Sequence, residues 1–145
     1  MSLEKYVTSK CFFAWKEFAV SKDYPELAKK MTLSAMDYLN IKLLVESCLD
    51  PWRMAHTKNK MKILSGKRDP DLNRAVGGAN NSEHLAASAC DIVCTGIDMK
   101  EVFLSILQAD MPYRDLRYYV KKNFIHWSIN VPGRIYKKTA EIILK

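Results

Sequence analysis

The sequence predicts an α+β domain in which a small antiparallel sheet packs against N-terminal and central helices. Segments with helical periodicity fill the first third of the chain. Strand-like segments then lie on both sides of one further helix, and a tight turn joins the last two. Helices segregated from antiparallel strands are typical of the α+β class. A length of 145 residues suits one domain with a single core.

The N-terminal elements are predicted to be helical. Residues 11–20 place aromatic and charged residues at near-helical spacing, and a short helix begins at Pro25, which is favoured in a first turn. Ser34 is a candidate N-cap of a long helix that Pro51 kinks or ends. The predicted apolar face of this helix comprises Leu39, Leu43, Leu44, Ser47 and Cys48.

Strands are predicted in the remaining chain, together with two helical segments. The strands span residues 60–66, 87–96, 115–122 and 123–131. A single helical turn over 69–78 stops at two glycines. Asp98 caps a helix with an apolar face formed by Val102, Phe103, Ile106 and Leu107.

Composition and charge limit the class of protein. The chain is 48% apolar and 27% charged with few Gly and Pro, which excludes a disordered or fibrous protein. No segment is long and apolar enough for a membrane span, and no Sec signal pattern is present, so we expect synthesis in the cytoplasm. A net charge of +7 suits an anionic partner, but the basic residues are scattered and no nucleic-acid motif accompanies them.

The four cysteines are predicted to be free buried thiols. They lie in apolar segments without the spacing of a secreted disulfide framework. They are Cys11, Cys48, Cys90 and Cys94.

Strand alternation brings a histidine and an aspartate into consideration as metal ligands. In the last predicted strand Ile125 and Trp127 face the core, so His126 faces the open side. Asp91 lies on the strand face opposite to Cys90, and His84 precedes it by seven residues in a polar loop. Two imidazoles and one carboxylate suit a four-coordinate zinc that keeps one position for water. The alternative is an ordinary His–Asp hydrogen bond.

These motifs resemble those of the zinc-dependent D-Ala-D-Ala carboxypeptidases and phage peptidoglycan endopeptidases (peptidase M15-like). The signature Ser-x-His, four residues, Ala-x-Asp stands here at residues 82–91, and an apolar strand with a final histidine stands at "FIHWSI". The upstream "ILSGKRDPDLNRAVGGANNSEH" resembles the Ser-Gly-x-Arg turn and the Leu-Asn-x-x-Val-Gly-Gly loop of that family. The likeness covers residues 32–131.

The resemblance implies the fold, the cofactor and the site residues. It implies a hedgehog/D-Ala-D-Ala-peptidase-like fold with Zn²⁺ on His84, Asp91 and His126. Arg68 would bind the substrate's carbonyl or carboxylate region, and Ser82 would brace the loop by a hydrogen bond. The predicted single domain then divides into an N-terminal helical extension, a peptidase-like core and a C-terminal segment, over residues 1–31, 32–131 and 132–145.

Two positions depart from the family pattern. Ala87 stands where the family often has Gly, and Asn123 stands where it usually has a catalytic glutamate. No Glu occurs from Met111 to His126, so the general base is not identified. Asp115 or Glu83 would substitute only if the fold brings one near the metal.

Several residues have structural alternatives. Arg68 would pair with Asp69 or Asp71 if it only stabilises a turn. Three aromatic residues line either a groove or the core, namely Tyr118, Tyr119 and Trp127. His56 is expected at a helix C-terminus rather than in a metal site. The tail, residues 133–145, contributes a helix, a strand or an interaction segment. Packing in this domain or on a partner is expected for Ile135, Ile142, Ile143 and Leu144.

Two functions compete on this evidence. The first is a zinc peptidase acting on peptidoglycan stem peptides, released to the cell wall at lysis or carried on a phage particle, with weak activity or none. The second is a degenerate peptidase domain retained as a structural part of a virion, with other virion proteins as partners. A nucleic-acid-binding role rests on charge alone and is a distant third.

Overall fold

The computed structural model describes residues 5–131 and 138–145. The α-helices are α1 (Pro25–Lys30), α2 (Ala35–Leu44), α3 (Asp50–Ala55), α4 (Pro70–Ala75) and α5 (Met99–Gln108). The strands are β1 (Met61–Ser65), β2 (Ala89–Cys94), β3 (Asp115–Tyr119), β4 (Phe124–Ser128) and β5 (Thr139–Ile143). Short 3₁₀ turns span Trp15–Phe18 and Glu83–Ala86.

The predicted α+β class is confirmed, with one refinement to the sheet. Five strands lie in the order β1-β2-β4-β3-β5. The first three contacts are antiparallel, whereas β5 joins the edge of β3 in parallel. Within the described part of the chain no helix is long and apolar enough to cross a membrane.

The long helix begins where predicted. Ser34 Oγ accepts a hydrogen bond from the backbone N–H of Asp37, and Asp37 accepts one from the N–H of Ser34, which forms a capping box. A π-helical turn, Val45–Leu49, joins α2 to α3. Pro51 follows this turn inside α3, so it does not end the helix. The widened turn accommodates a proline that lacks an N–H.

The predicted apolar face of this helix was partly wrong. Leu39 and Leu43 are 61% and 41% exposed, whereas Leu44 and Cys48 are fully buried. The inward positions also include polar Asp37 and Asn40. These two side chains bind Lys67 and the Ala86 carbonyl, so the inward face combines polar contacts with the buried apolar residues Ile41 and Leu44.

The segment 11–20 forms much less helix than predicted. It contains only the 3₁₀ turn, and an isolated bridge pairs Tyr6 with Ala14. Phe13 and Phe18 are buried in the core, so tertiary packing rather than a regular helix holds this segment.

One core lies between the helices and the inner face of the sheet. It is centred on large, fully buried side chains: Trp52, Trp127, Phe13, Phe18, Ile41, Leu44, Leu49, Ile92, Ile106, Leu116 and Ile125. Cys48 and Cys90 lie within it as predicted, but Cys11 is exposed and Cys94 is partly exposed. The prediction of four buried thiols was therefore wrong for Cys11.

The tail supplies a strand that completes the sheet, one of the predicted alternatives. Ile142 is 43% and Leu144 72% exposed, so these side chains do not pack within this domain, and packing on a partner stays a prediction. Ile135 lies outside the described residues.

Candidate metal centre

Three predicted ligand side chains meet at the sheet surface. Asp91 Oδ1 lies 3.3 Å from His84 Nε2 and 3.1 Å from His126 Nδ1. One donor atom from each of the three residues lies within 4.8 Å of the others, so the group could hold a metal ion. All three side chains are almost fully buried.

Strand pairing explains how two of these residues meet. In the antiparallel β2–β4 pair, Asp91 lies directly opposite His126. Directly opposed residues point to the same sheet face. The next residues along β4, Ile125 and Trp127, are fully buried on the core face, as the alternation predicts.

A short turn brings His84 to the same point. Ser82 caps the 3₁₀ turn by accepting a hydrogen bond from the backbone N–H of His84, so its predicted bracing contact is present. Ala87 ends the turn in the left-handed region, at φ 56°. That conformation favours Gly, and the backbone makes it here with Ala. The position at which the family often has Gly therefore has a left-handed backbone in this chain as well.

The orientation of the His84 ring follows from its surroundings. His84 Nδ1 lies 2.7 Å from the carbonyl oxygen of Gly66. A carbonyl only accepts, so Nδ1 donates to Gly66 and Nε2 is the ring nitrogen that faces Asp91. This arrangement presents Nε2 as a metal donor.

Glu83 contacts the third predicted ligand. His126 Nε2 lies 3.1 Å from Glu83 Oε1, and Arg114 Nη1 lies 2.6 Å from Glu83 Oε2. Asp115 joins this cluster, since donor atoms of Glu83, Asp115 and His126 lie within 4.8 Å of one another. Sequence reasoning considered Glu83 and Asp115 only as substitutes for the missing base, and it did not single out Arg114.

In each of these groups, hydrogen bonds and opposite charges outweigh the effect of burial on the pKa. Burial raises the pKa of Asp91, but the charges and hydrogen bonds of His84 and His126 outweigh it and hold that pKa well below the usual range. Burial likewise opposes ionisation of Glu83, yet hydrogen bonds to His126 and to its other neighbours keep its pKa low. Burial lowers the pKa of His126, but both carboxylates raise it to about 9. Without metal, His126 is an imidazolium between two carboxylates.

Comparison with known proteins assigns the family. A family model described as Peptidase M15 matches residues 19–128. The chain belongs to the peptidase M15 family. A search of curated proteins gave no match. The family prediction is thus confirmed, whereas the roles of individual site residues stay predictions.

The M15 arginine candidate lies beside the predicted ligands. Arg68 Nη2 is 3.7 Å from Asp91 Oδ2, and its other nitrogens bond to Ser65 and Asn73. The alternative pairing with Asp69 or Asp71 was wrong, because Asp69 caps α4 and Asp71 pairs with Arg74. Arg68 therefore supports Asp91 and also lines the cleft.

Asn123 does not reach the ligand cluster through any of its described hydrogen bonds. It occupies the β3–β4 turn with φ 56°, and its side-chain oxygen accepts a hydrogen bond from Tyr118. The position that carries the usual M15 glutamate therefore has a structural contact here.

The M15 cleft carries charges of both signs. A cavity of about 410 Å³ covers the cluster, and its lining includes four basic residues, Arg68, Arg114, Arg117 and Lys122, and three carboxylates, Glu83, Asp91 and Asp115. Tyr119 stacks on Phe124 at its wall. Trp127 and Tyr118 are buried in the core instead. His56 lies at the C-terminus of α3 as expected, with Nδ1 2.9 Å from the Trp52 carbonyl oxygen.

Proposed function

We propose that this M15 chain is a zinc-dependent peptidase that hydrolyses amide bonds in peptidoglycan stem peptides. The observation that carries the proposal is the convergence of two imidazole nitrogens, His84 Nε2 and His126 Nδ1, on the carboxylate oxygen Asp91 Oδ1, at 3.3 and 3.1 Å. Membership of the family supports peptidase function in general. Two histidines and a carboxylate are a donor set of catalytic zinc sites.

The donor geometry fits zinc. Zinc binds imidazole and carboxylate at about 2.0–2.1 Å in a tetrahedral arrangement, which separates neighbouring donors by about 3.3 Å. The two separations from Asp91 Oδ1 to His84 Nε2 and His126 Nδ1 agree with that value. His84, Asp91 and His126 would thus hold the ion and leave a fourth position to water or substrate.

The chain's own residues would bind and orient the peptide. Zinc, when bound, would polarise the scissile carbonyl and acidify water. Lys122 and Arg117 stand at the cleft, where they would attract the carboxylates of a stem peptide. Arg68 would orient the substrate's carbonyl or carboxylate region from beside Asp91.

Slow turnover is part of this proposal. Loss of a general base costs about 10²–10⁴-fold in rate, and Asn123 cannot accept a proton from water. Asp115 has a pKa raised by burial and by its hydrogen bond with Glu83, which suits a base. Its carboxylate is, however, paired with Arg114 and Arg117, which limits its basicity.

The test combines metal content with digestion of peptidoglycan. We expect about one zinc per chain by elemental analysis and chelator-sensitive release of stem-peptide fragments. His84→Ala and His126→Ala should lose both. His56→Ala is the matched control, since it removes the third histidine from outside the cleft and should retain both. A wild-type protein without zinc would refute the proposal.

Two observations favour a second function. Asn123 stands where the family usually has its glutamate, and the carboxylates of Glu83 and Asp115 are already paired with basic residues. In this alternative the chain binds zinc but does not turn over, and it serves as a structural component of a phage virion. Folded, zinc-loaded protein without any release of fragments would support it. Gain of activity in Asn123→Glu would show instead that only the base is missing.

A further inference from the structure

His126 lies between two carboxylates, and only one of them belongs to the predicted ligand set. Its Nδ1 lies 3.1 Å from Asp91 Oδ1, and its Nε2 lies 3.1 Å from Glu83 Oε1. An ionised carboxylate only accepts hydrogen bonds, so Nε2 carries a proton while it contacts Glu83. An imidazole that keeps its Nε2 proton offers only Nδ1 to a metal.

Glu83 is itself held from several directions. Its Oε2 is 2.6 Å from Arg114 Nη1, and its carbonyl oxygen accepts hydrogen bonds from the backbone N–H and the hydroxyl of Ser88. Arg114 is anchored by its backbone N–H, which donates to the carbonyl of Ser128, two residues after His126. The carboxylate therefore sits in a fixed position relative to β4.

We propose that Glu83, bound by Arg114, is the positioning residue of the metal centre: it binds the Nε2–H of His126 and directs Nδ1 toward Asp91 and His84. This inference rests on the proposed zinc site. Gly66 does the same for His84 through its carbonyl at Nδ1. Both histidines thus have their non-ligating nitrogen held by an acceptor, and such contacts orient the ring and raise its basicity as a ligand.

The competing role for Glu83 is that of the missing general base. A base needs a free oxygen near the water that it deprotonates. Both Glu83 oxygens already have partners, Oε1 at His126 and Oε2 at Arg114. The two roles differ in what their loss does: loss of a base lowers turnover at unchanged metal affinity, whereas loss of a positioning residue weakens the metal site itself.

The experiment measures zinc affinity of the full chain by competition with a chromophoric chelator. We expect Glu83→Ala to bind zinc about 10- to 100-fold more weakly. Glu83→Gln should lose less, because its amide oxygen still accepts from Nε2–H. Arg114→Met, which leaves Glu83 in place but without its ion pair, should fall between wild type and Glu83→Ala. Glu101→Ala, at an exposed site on α5, is the control and should match wild type.

A spectroscopic measurement covers the case in which Glu83→Ala fails to fold. In zinc-loaded wild type labelled with ¹⁵N-histidine, long-range ¹H–¹⁵N spectra should show His126 protonated at Nε2 and metal-bound at Nδ1. Metal on Nε2, or a folded Glu83→Ala with wild-type affinity, would overturn the inference. If wild type binds no zinc, the proposed function fails too; if it binds zinc and Glu83→Ala binds equally, only this inference fails.

Discussion

At the scale of single residues, burial separates the four cysteines into reactive and unreactive groups. Cys11 is exposed. Burial raises the pKa of Cys48 and of Cys94 to about 12 and raises that of the fully buried Cys90 well above its usual value. Because the thiolate is the nucleophile, we expect the three thiols with a raised pKa to react slowly near neutral pH.

We therefore expect one fast-reacting thiol per chain with a thiol reagent at pH 8 in native protein, and four after unfolding. Cys11→Ser should abolish the fast phase.

The raised pKa values also set the sign of a pH effect on stability. The thiols of the unfolded chain ionise near pH 9, whereas Cys48 and Cys94 in the folded protein stay protonated until about pH 12. The free energy of unfolding should thus fall as pH rises between 9 and 12, as urea titrations would measure. Several fast-reacting thiols in the native protein would contradict the burial of Cys48, Cys90 and Cys94, on which both predictions rest.

At the scale of elements, the position of His84 in the centre depends on the backbone that follows β1. Gly66 follows β1 and passes directly against the N-terminal segment: a Cβ there would lie 2.7 Å from both Cα and the carbonyl oxygen of Phe18. The next residue, Lys67, donates its backbone N–H to that same carbonyl. The Gly66 carbonyl meanwhile holds Nδ1 of His84. A glycine is required because two backbones meet here, not because φ is positive.

Gly66→Ala should consequently separate these backbones and shift the carbonyl that orients His84. We expect a loss of stability of about 1–3 kcal/mol, typical of overpacking, together with weaker zinc binding. Urea unfolding of the metal-free protein measures the first effect and chelator competition the second. Met36→Ala, a large change at an exposed site on α2, should leave both nearly unchanged. Equal stability of Gly66→Ala and wild type would contradict the close contact.

At the scale of the whole molecule, the centre joins parts of the chain that are distant in sequence. His84 comes from a turn, Asp91 from β2 and His126 from β4, and the N-terminal segment closes over the end of β1. The unfolded chain cannot bring these donors together, so a metal that binds here stabilises the folded state only.

Zinc should therefore raise the unfolding temperature, with a gain of about 2.7 kcal/mol when free zinc is 100 times its dissociation constant. Calorimetry with and without a chelator measures this gain. His84→Ala should lose the zinc-dependent part, whereas His56→Ala should keep it. A zinc effect of equal size in His84→Ala would place the metal elsewhere.

The sequence by itself determined the class of fold, the order of the strands along the chain and the Ser34 and Asp98 helix caps, and it named His84, Asp91 and His126 as candidate metal ligands. These depend on local periodicity, capping chemistry and motif spacing, which are properties of short segments of the sequence. Only the tertiary structure decided that Leu39 and Leu43 face outward, that residues 11–20 pack without a regular helix, and that Glu83 and Arg114 stand behind His126. Each of these depends on contacts between distant segments, and no local pattern encodes which nitrogen of an imidazole a neighbouring carboxylate will hold.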